Sequence, residues 1–474
     1  MTEFKKNFII IGIGPHAKRT YIRFFEKYEL QPKIIIELFS NKDVVEKLIL
    51  SKNWNSELFF IPDKCKDDLH LSDSIKKELE KLIFEKKITH VIIATEPKGH
   101  HMYLDFFIQK KIHILTDKPI IVFKNMLNIE NIEKMKLNFY KLLNKQKKGC
   151  QCKVLCQRVN HKGYLYIKNL IKEIIVKYNI PITYISIYSC DGNWVMPHDL
   201  DYENHPYKYG YGKLFHSGFH FIDLLSEFLK LNNYASDLKK LATAEMFNSF
   251  VTPNDELGII SISDYKKIFA SQKSSAFYSR NSGELSFNKY GEKDYFAQFK
   301  CRNKNGKIIT MANLNILESG VSRRAWIKTK ADRYKNNGRI RHESINIQIG
   351  PLLNIQVHSY QSKEVKDRTK YETAFGGIEH FDIDIYRNAD LIGGKPYERI
   401  TATDLYNFSD EKYFKGLNES AREDFIKNFF NNKNDLGELK QYKLSMEILY
   451  QSCMSSFENE NGGKVNEKTF SLVF

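Results

Sequence analysis

Three side chains in this chain have the types and settings to move a proton or polarise an oxygen. Lys118 follows an apolar run, Ile112-His113-Ile114-Leu115, and precedes Pro119. A partly desolvated ammonium at a strand end can polarise a carbonyl or carbinol oxygen, and the proline fixes the turn after it. His216 and His220 stand four residues apart just beyond a glycine-rich turn, Gly210-Tyr211-Gly212. An imidazole titrates near neutrality and suits general acid–base work. On a helical turn that spacing puts both rings on one face, with Asp223 three residues beyond His220 to orient the imidazole or cap the turn. The same spacing could serve a metal, but the glutamate of His-Glu-x-x-His is absent, and no metal is expected. Cys150, Cys152 and Cys156 cluster without paired C-x-x-C spacing. The seven cysteines therefore read as free thiols in a reducing compartment.

Such groups need a scaffold, and its start is visible at residues 7–20, NFIIIGIGPHAKRT. An apolar run, Phe8-Ile9-Ile10-Ile11, stops at Gly12 and passes through Ile13, Gly14, Pro15 and His16 to Ala17, where a helical pattern opens. Strand, tight turn and helix in this order are the setting of a dinucleotide-binding fingerprint. Gly12 can take positive φ, Gly14 lets the backbone approach a pyrophosphate, and Ala17 lets helix pack on strand. The N–H groups of the helix start face the phosphates. About twenty residues on, Glu37 ends a second apolar run and is placed to bond the adenine ribose of NAD. Ser40-Asn41-Lys42 would instead receive the 2′-phosphate of NADP, so the choice between NAD and NADP stays open.

Alternation continues to about residue 160. Strands are expected at 33–37, 58–61, 90–94, 112–115 and 152–159, and helices at 17–29, 43–50, 72–86, 100–109 and 127–143. This predicts an α/β fold with a Rossmann-type doubly wound parallel sheet over residues 1–160. Residues 163–178 read as a helix and 180–188 as a strand. From residue 259 strand-like runs dominate, which predicts a C-terminal α+β domain over 161–474 with an open, mainly antiparallel sheet. Closing helices are expected at 419–431 and 438–455, and a polar, mobile tail over 458–468.

The stretch VIIATEPKGHHMYLDFFIQKKIHILTDKPI, residues 91–120, resembles the glucose–fructose oxidoreductase / inositol dehydrogenase (Gfo/Idh/MocA) family. Thr95, Pro97, His100 and Asp117-Lys118-Pro119 carry the resemblance, with Asp117 where the family usually has glutamate. Gly218, His220 and Asp223 match a second landmark, Gly-x-His-x-x-Asp, and position 216 is histidine where most members have aspartate. The resemblance implies that Lys118 is the catalytic lysine, touching nicotinamide ribose and substrate. It makes His220 the general acid/base, and Thr95, Glu96 and His100 cofactor contacts. His216 would tune or assist, and its positive charge would replace the usual carboxylate. Arg158, at the end of the strand expected at 152–159, resembles the cleft arginine of the family, and His161 just beyond it is expected to point into the same cleft. The loop holding Trp194, His198, Asp199, Asp201, His205, Tyr207 and Tyr209 supplies further candidate substrate contacts, foremost Arg158, Trp194, His198 and Tyr209 beside His220.

Composition bounds the rest. A chain of 474 residues suits two domains, and no apolar run reaches the 18 residues of a membrane span. The apolar run at the start is shorter than that of a signal peptide, so a cytoplasmic protein is expected. Net charge is +16, but the lysines are scattered rather than striped. That fits an anionic small-molecule substrate and not a nucleic-acid partner. The resemblance adds a homo-oligomer, dimer or tetramer. Together these readings describe an NAD(P)-dependent oxidoreductase acting on a secondary alcohol or ketone of a sugar, amino sugar, cyclitol or nucleotide-linked sugar. The alternative is a cofactor-binding regulatory or scaffold protein of the same fold without turnover.

Overall fold

Three isoleucine-rich runs, Ile9-Ile10-Ile11, Ile34-Ile35-Ile36 and Val91-Ile92-Ile93, are buried on both faces and form the middle of a parallel sheet. The structure, a computed structural model, describes residues 6–192, 194, 200, 207–269, 287–320, 340–362, 379–406, 417–433, 435–460 and 467–474. The chain divides into two units. The first holds residues 1–123, 133–161 and 418–443, and the second holds 124–132, 162–417 and 444–474.

In the first unit, strands β1 (Phe8–Ile11), β2 (Ile34–Leu38), β3 (Glu57–Ile61), β4 (His90–Ile93), β5 (His113–Asp117) and β6 (Cys152–Leu155) make one sheet in the order β3-β2-β1-β4-β5-β6. Every pair is parallel, with Ile10 opposite Ile35 on one side and Ile92 on the other. The order of succession reverses between β1 and β4, with β2 and β3 added on one side and β4 to β6 on the other, and ligands of such sheets bind beyond the strand ends at that switch point. Gly12 and Ala94-Thr95 end the two strands there. The helix 73–85 starts as its sequence requires, with Ser72 accepting from the Ile75 N–H. The helix after Gly14 is not uniform: α-helical Pro15–Ala17 and Arg23–Lys27 flank a π-helical turn, Lys18–Ile22. β6 is shorter than expected. It stops at Leu155, and residues 157–160 form a 3₁₀ turn with Val159 N donating to Cys156 O at 3.1 Å.

Residues 418–443, given to the second domain on sequence, count with the first unit. The reason is apolar. Phe425, Ile426, Phe429 and Phe430 are buried in one core with Phe8, Ala17, Tyr21, Phe25, Ile92 and Leu115. Each such aromatic or aliphatic side chain contributes about 1.5–3 kcal/mol by leaving water. The same segment satisfies the open side of β6: Val154 N donates to Gly437 O at 2.8 Å, Cys152 N to Glu438 Oε2 at 3.2 Å, and Tyr442 Oη to Val154 O at 3.1 Å.

The second unit is built on nine strands: β7 (Tyr184–Cys190), β8 (Thr243–Val251), β9 (Asp294–Arg302), β10 (Ile308–Leu317), β11 (Ile340–Ile349), β12 (Leu353–Ser362), β13 (Glu379–Arg387), β14 (Tyr397–Ile400) and β15 (Glu467–Ser471). Their order is β14-β13-β12-β11-β7-β10-β9-β8-β15. Only β7 and β10 pair in parallel among these neighbours. Alternation decides the faces. Ile345, Ile347 and Ile349 of β11 lie opposite Val357, Ile355 and Leu353 of β12 and are buried, while Asn346 and Gln348 between them are half-buried. The helix Phe219–Leu231 covers the apolar side with Phe221, Ile222, Leu225 and Phe228. The expected mobile tail ends in β15, which pairs with β8 and turns Phe470 inward; residues 461–466 lie outside the described ones. Among the described residues no helix is long and apolar enough to cross a membrane.

Candidate functional site

The glycine turn is formed as its residues demand. Gly12 has φ +88°, and a Cβ there would lie 2.8 Å from Ala94 O, so both conformation and the approach of β4 exclude a side chain. At Gly14 a Cβ would meet nothing within 4 Å, which leaves the backbone open on that side. Pro15 opens the helix, where a missing N–H costs nothing, and Ala17 is fully buried. Glu37 at the end of β2 is buried, with Oε2 accepting from Ile13 N at 2.7 Å and Oε1 from Leu38 N at 2.8 Å. The carboxylate thus fastens the second strand to the glycine turn. Ser40 is exposed, and its N–H donates to Asp63 Oδ2 at 3.1 Å.

Asp117-Lys118-Pro119 closes β5, with a cis peptide before Pro119 and Lys118 half-buried. Asp117 is held from the first helix: Tyr21 Oη donates to Oδ1 at 2.6 Å, and His16 Nε2 lies 3.6 Å from Oδ2. Burial pushes the Asp117 carboxyl up, but neighbouring His16 and the hydrogen bond from Tyr21 outweigh it, and its pKa falls below the ordinary aspartate value. His16 and Tyr21 therefore tie the glycine-turn helix to the residue before Lys118. His100 is fully buried, with Nδ1 2.7 Å from Pro119 O and Nε2 3.2 Å from Thr95 O. Burial lowers its pKa against the pull of these two carbonyls, and the ring bridges the chain after β4 to the turn after Lys118. Thr95 is half-buried, with its hydroxyl donating to Glu96 O, and Glu96 is exposed. Arg158 and His161 are both buried. They sit on and beside the 3₁₀ turn rather than on a strand, and burial, reinforced by the Arg158 charge, lowers the His161 pKa to about 3.

In the second unit His220 lies in the first turn of the helix Phe219–Leu231 and is 5% exposed. His216 is not on the same helical face. It sits in the turn Leu214–Gly218 with φ −81° and ψ −109°, a kink that sets it apart from the following helix. The shared-face expectation assumed regular helical dihedrals, and they are absent at that residue. Rings surround His216, with Tyr207 edge-on at 5.2 Å and Tyr211 at 6.1 Å. Asp223 accepts from Ser445 Oγ at 2.9 Å. Trp194 Nε1 donates to Tyr265 Oη at 2.7 Å, and Lys293 Nζ lies 5.4 Å from its ring. Tyr209 is half-buried, with Lys124 Nζ 5.0 Å from its ring centre. His198, Asp199, Asp201 and His205 lie outside the described residues.

Sequence reasoning passed over the charged residues behind this turn. Lys213 is wholly buried, with Nζ 2.5 Å from Asp191 Oδ2 and 3.0 Å from Glu318 Oε2. Ser217 Oγ also donates to Asp191 Oδ2, and Arg341 Nε lies 3.2 Å from Oδ1. Glu292 Oε1 accepts from Leu214 N at 2.7 Å, and burial raises its carboxyl pKa to about 7. A signal existed: Asp191 ends a strand at a glycine, and Lys213 interrupts a glycine-rich, apolar segment.

No family model and no curated protein matches the sequence. Solved structures do match along the whole chain. A levoglucosan dehydrogenase in complex with NADH is 11% identical, with 99% of each chain covered and a TM-score of 0.56. An oxidoreductase from Sinorhizobium meliloti is 10% identical over 98% of this chain and 99% of its own, at 0.56. These neighbours are of the glucose–fructose oxidoreductase / inositol dehydrogenase type, and this chain shares their fold. A myo-inositol dehydrogenase from Corynebacterium glutamicum ATCC 13032 shares it at 11% identity, 99% coverage of both chains and a TM-score of 0.51. At such identities the likeness is one of architecture: a six-stranded parallel sheet and a mixed, mainly antiparallel one.

Proposed function

We propose that this protein is an NAD(P)-dependent oxidoreductase that exchanges hydride with a secondary alcohol or ketone of a sugar, amino sugar, cyclitol or nucleotide-linked sugar. The observation that carries the reading is the Gly12 turn at the switch point of the parallel sheet, open at Gly14 and fastened by Glu37. The residues fit a dinucleotide: Gly12, Gly14, Pro15, His16 and Ala17 would cradle its pyrophosphate, and Glu37 would meet its ribose. Thr95, Glu96 and Lys118 complete the cofactor set, and His100, fully buried, holds the chain around Thr95 and Lys118 rather than touching the cofactor. The levoglucosan dehydrogenase of the same fold was solved with NADH, which supports the assignment. A bound nicotinamide would supply the hydride acceptor or donor.

This chain's residues then do the proton chemistry. Lys118 polarises the substrate oxygen. His220 takes the hydroxyl proton as the carbon loses hydride, or returns it on reduction. Arg158, Trp194, His198 and Tyr209 are the proposed substrate contacts, and His216 tunes His220. Asp117 positions Lys118 through Tyr21 and His16. NAD is the preferred cofactor on this reading. A 2′-phosphate would face the Glu37 carboxylate, and the rival Ser40 N–H is already taken by Asp63. NADH is expected to bind at least ~10-fold more tightly than NADPH, a difference of about 1.4 kcal/mol.

The test is direct. Nucleotide released from the purified protein by acid or base is identified by mass, and emptied protein is titrated with NADH and NADPH. NADH binding in the micromolar range supports the reading. If neither nucleotide binds at about 1 mM, where an affinity of roughly 4 kcal/mol would be read, the reading falls. The histidine at position 216 favours one rival, a cofactor-binding protein without turnover. It is separated by asking whether bound NADH ever loses its hydride to any carbonyl of a sugar panel.

A further inference from the structure

His216 passes through backbone that no regular helix adopts, and such residues persist only where their surroundings hold them. Here the flanks converge on one atom. Asp191 Oδ2 accepts from Lys213 Nζ at 2.5 Å, three residues before His216, and from Ser217 Oγ, one residue after it. Its other oxygen is engaged by Arg341 Nε at 3.2 Å. Lys213 reaches Glu318 with the same ammonium, at 3.0 Å. The aspartate comes from the end of β7, at the centre of the nine-stranded sheet, so the anchor itself is rigid.

We propose that Asp191 is the positioning residue of the histidine turn. By tying both flanks of His216 to one oxygen it fixes where the imidazoles of His216 and of His220, in the next turn, are presented. A mere need to neutralise buried Lys213 does not account for the Ser217 arm, because a hydroxyl brings no charge. The backbone agrees: Gly218 N donates to Lys213 O at 2.9 Å, and a Cβ at Gly218 would lie 2.6 Å from that oxygen, so the loop closes tightly across the kink. The titratable groups placed about this turn are Lys213, Asp191, Glu318, Arg341, Glu292 at Leu214 N, and the Tyr207 and Tyr211 rings against His216. The inference rests on the reading of His220 as the proton-moving group.

The experiment uses the full chain with ¹³C-labelled histidine, His216→Gln and His220→Gln supplying the assignments. Imidazole titrations are compared in wild type, Ser217→Ala and Asp191→Asn. Ser217→Ala, which removes no charge, is expected to shift the His216 or His220 midpoint by at least ~0.3 pH unit, and Asp191→Asn by more. NADH affinity is expected to stay unchanged. Folded variants whose two imidazoles titrate as in wild type would overturn the proposal. If Asp191→Asn does not fold, Ser217→Ala decides alone. Failure of wild type to bind NADH or NADPH would count against the oxidoreductase reading and leaves the titration, which uses no nucleotide, to judge the tether.

Discussion

Asp117 shows how far a single side chain's surroundings decide its work. Its carboxylate takes a hydrogen bond from Tyr21 at 2.6 Å in a buried setting. Tyr21→Phe should cost about 1–3 kcal/mol, since a buried acceptor then loses its donor. The pH dependence of that cost follows from the sign of the shift. The Asp117 pKa is depressed in the folded protein, so its contribution is present at neutral pH. It is lost as pH falls below the ordinary aspartate range and through the folded value. Urea midpoints of Tyr21→Phe and wild type should therefore lie further apart at pH 7 than in strong acid, and equal gaps at both would refute the account. The turn at Gly12, the open backbone at Gly14 and the buried Ala17 were legible because they follow from local geometry. Asp191 and Lys213 were not. A lysine reads as solvated until its partners are known, and these lie 22 and 105 positions away.

At the scale of elements, apolar runs such as Ile9-Ile10-Ile11, Ile34-Ile35-Ile36 and Val91-Ile92-Ile93 announced their strands, because burial on both faces leaves no polar position. The elements that departed from expectation did so where tertiary bonds override local preference. β6 ends early at the 3₁₀ turn, and the helix of His220 begins only after the kink at His216. β4 carries a further consequence. His90, at its start, stacks on His113 at 4.8 Å and lies 3.3 Å from Asn432 Oδ1. Burial, then the His113 charge, lowers its pKa to about 3, and that of His161 is equally low. Both stay neutral in the fold while an unfolded chain takes up protons from about pH 6.5 downward. Each group therefore subtracts about 1.4 kcal/mol of stability per pH unit between that point and its folded pKa. Stability should begin to fall near pH 6.5, before most carboxylates titrate. His90→Gln should flatten that slope by about one proton; a slope equal to wild type would show that His90 is not its source.

For the molecule as a whole, sheet class and strand alternation could be read in advance, but not what closes the second sheet. β15 supplies that closure by pairing with β8, and the sequence there is too polar to announce a strand, with only Phe470 turned inward. Removing residues 467–474 would bare the β8 edge beside Phe247, which is 57% exposed, and bare edges seek other chains. The truncated protein should melt lower and scatter light at concentrations where the full chain is monodisperse. An unchanged melting curve and clean scattering would show that the strand is dispensable.

The return of residues 418–443 to the first unit also sets a timetable for synthesis. β6 needs Gly437 and Glu438 for its outer hydrogen bonds, and Cys152 meets Glu438 across 286 positions of sequence. At about 5–20 residues per second, a ribosome that has just finished β6 still has tens of seconds of translation before that edge can be covered. Through that interval the nascent parallel sheet carries β6 paired with β5 on one side and uncovered on the other, the kind of bare edge that seeks other chains.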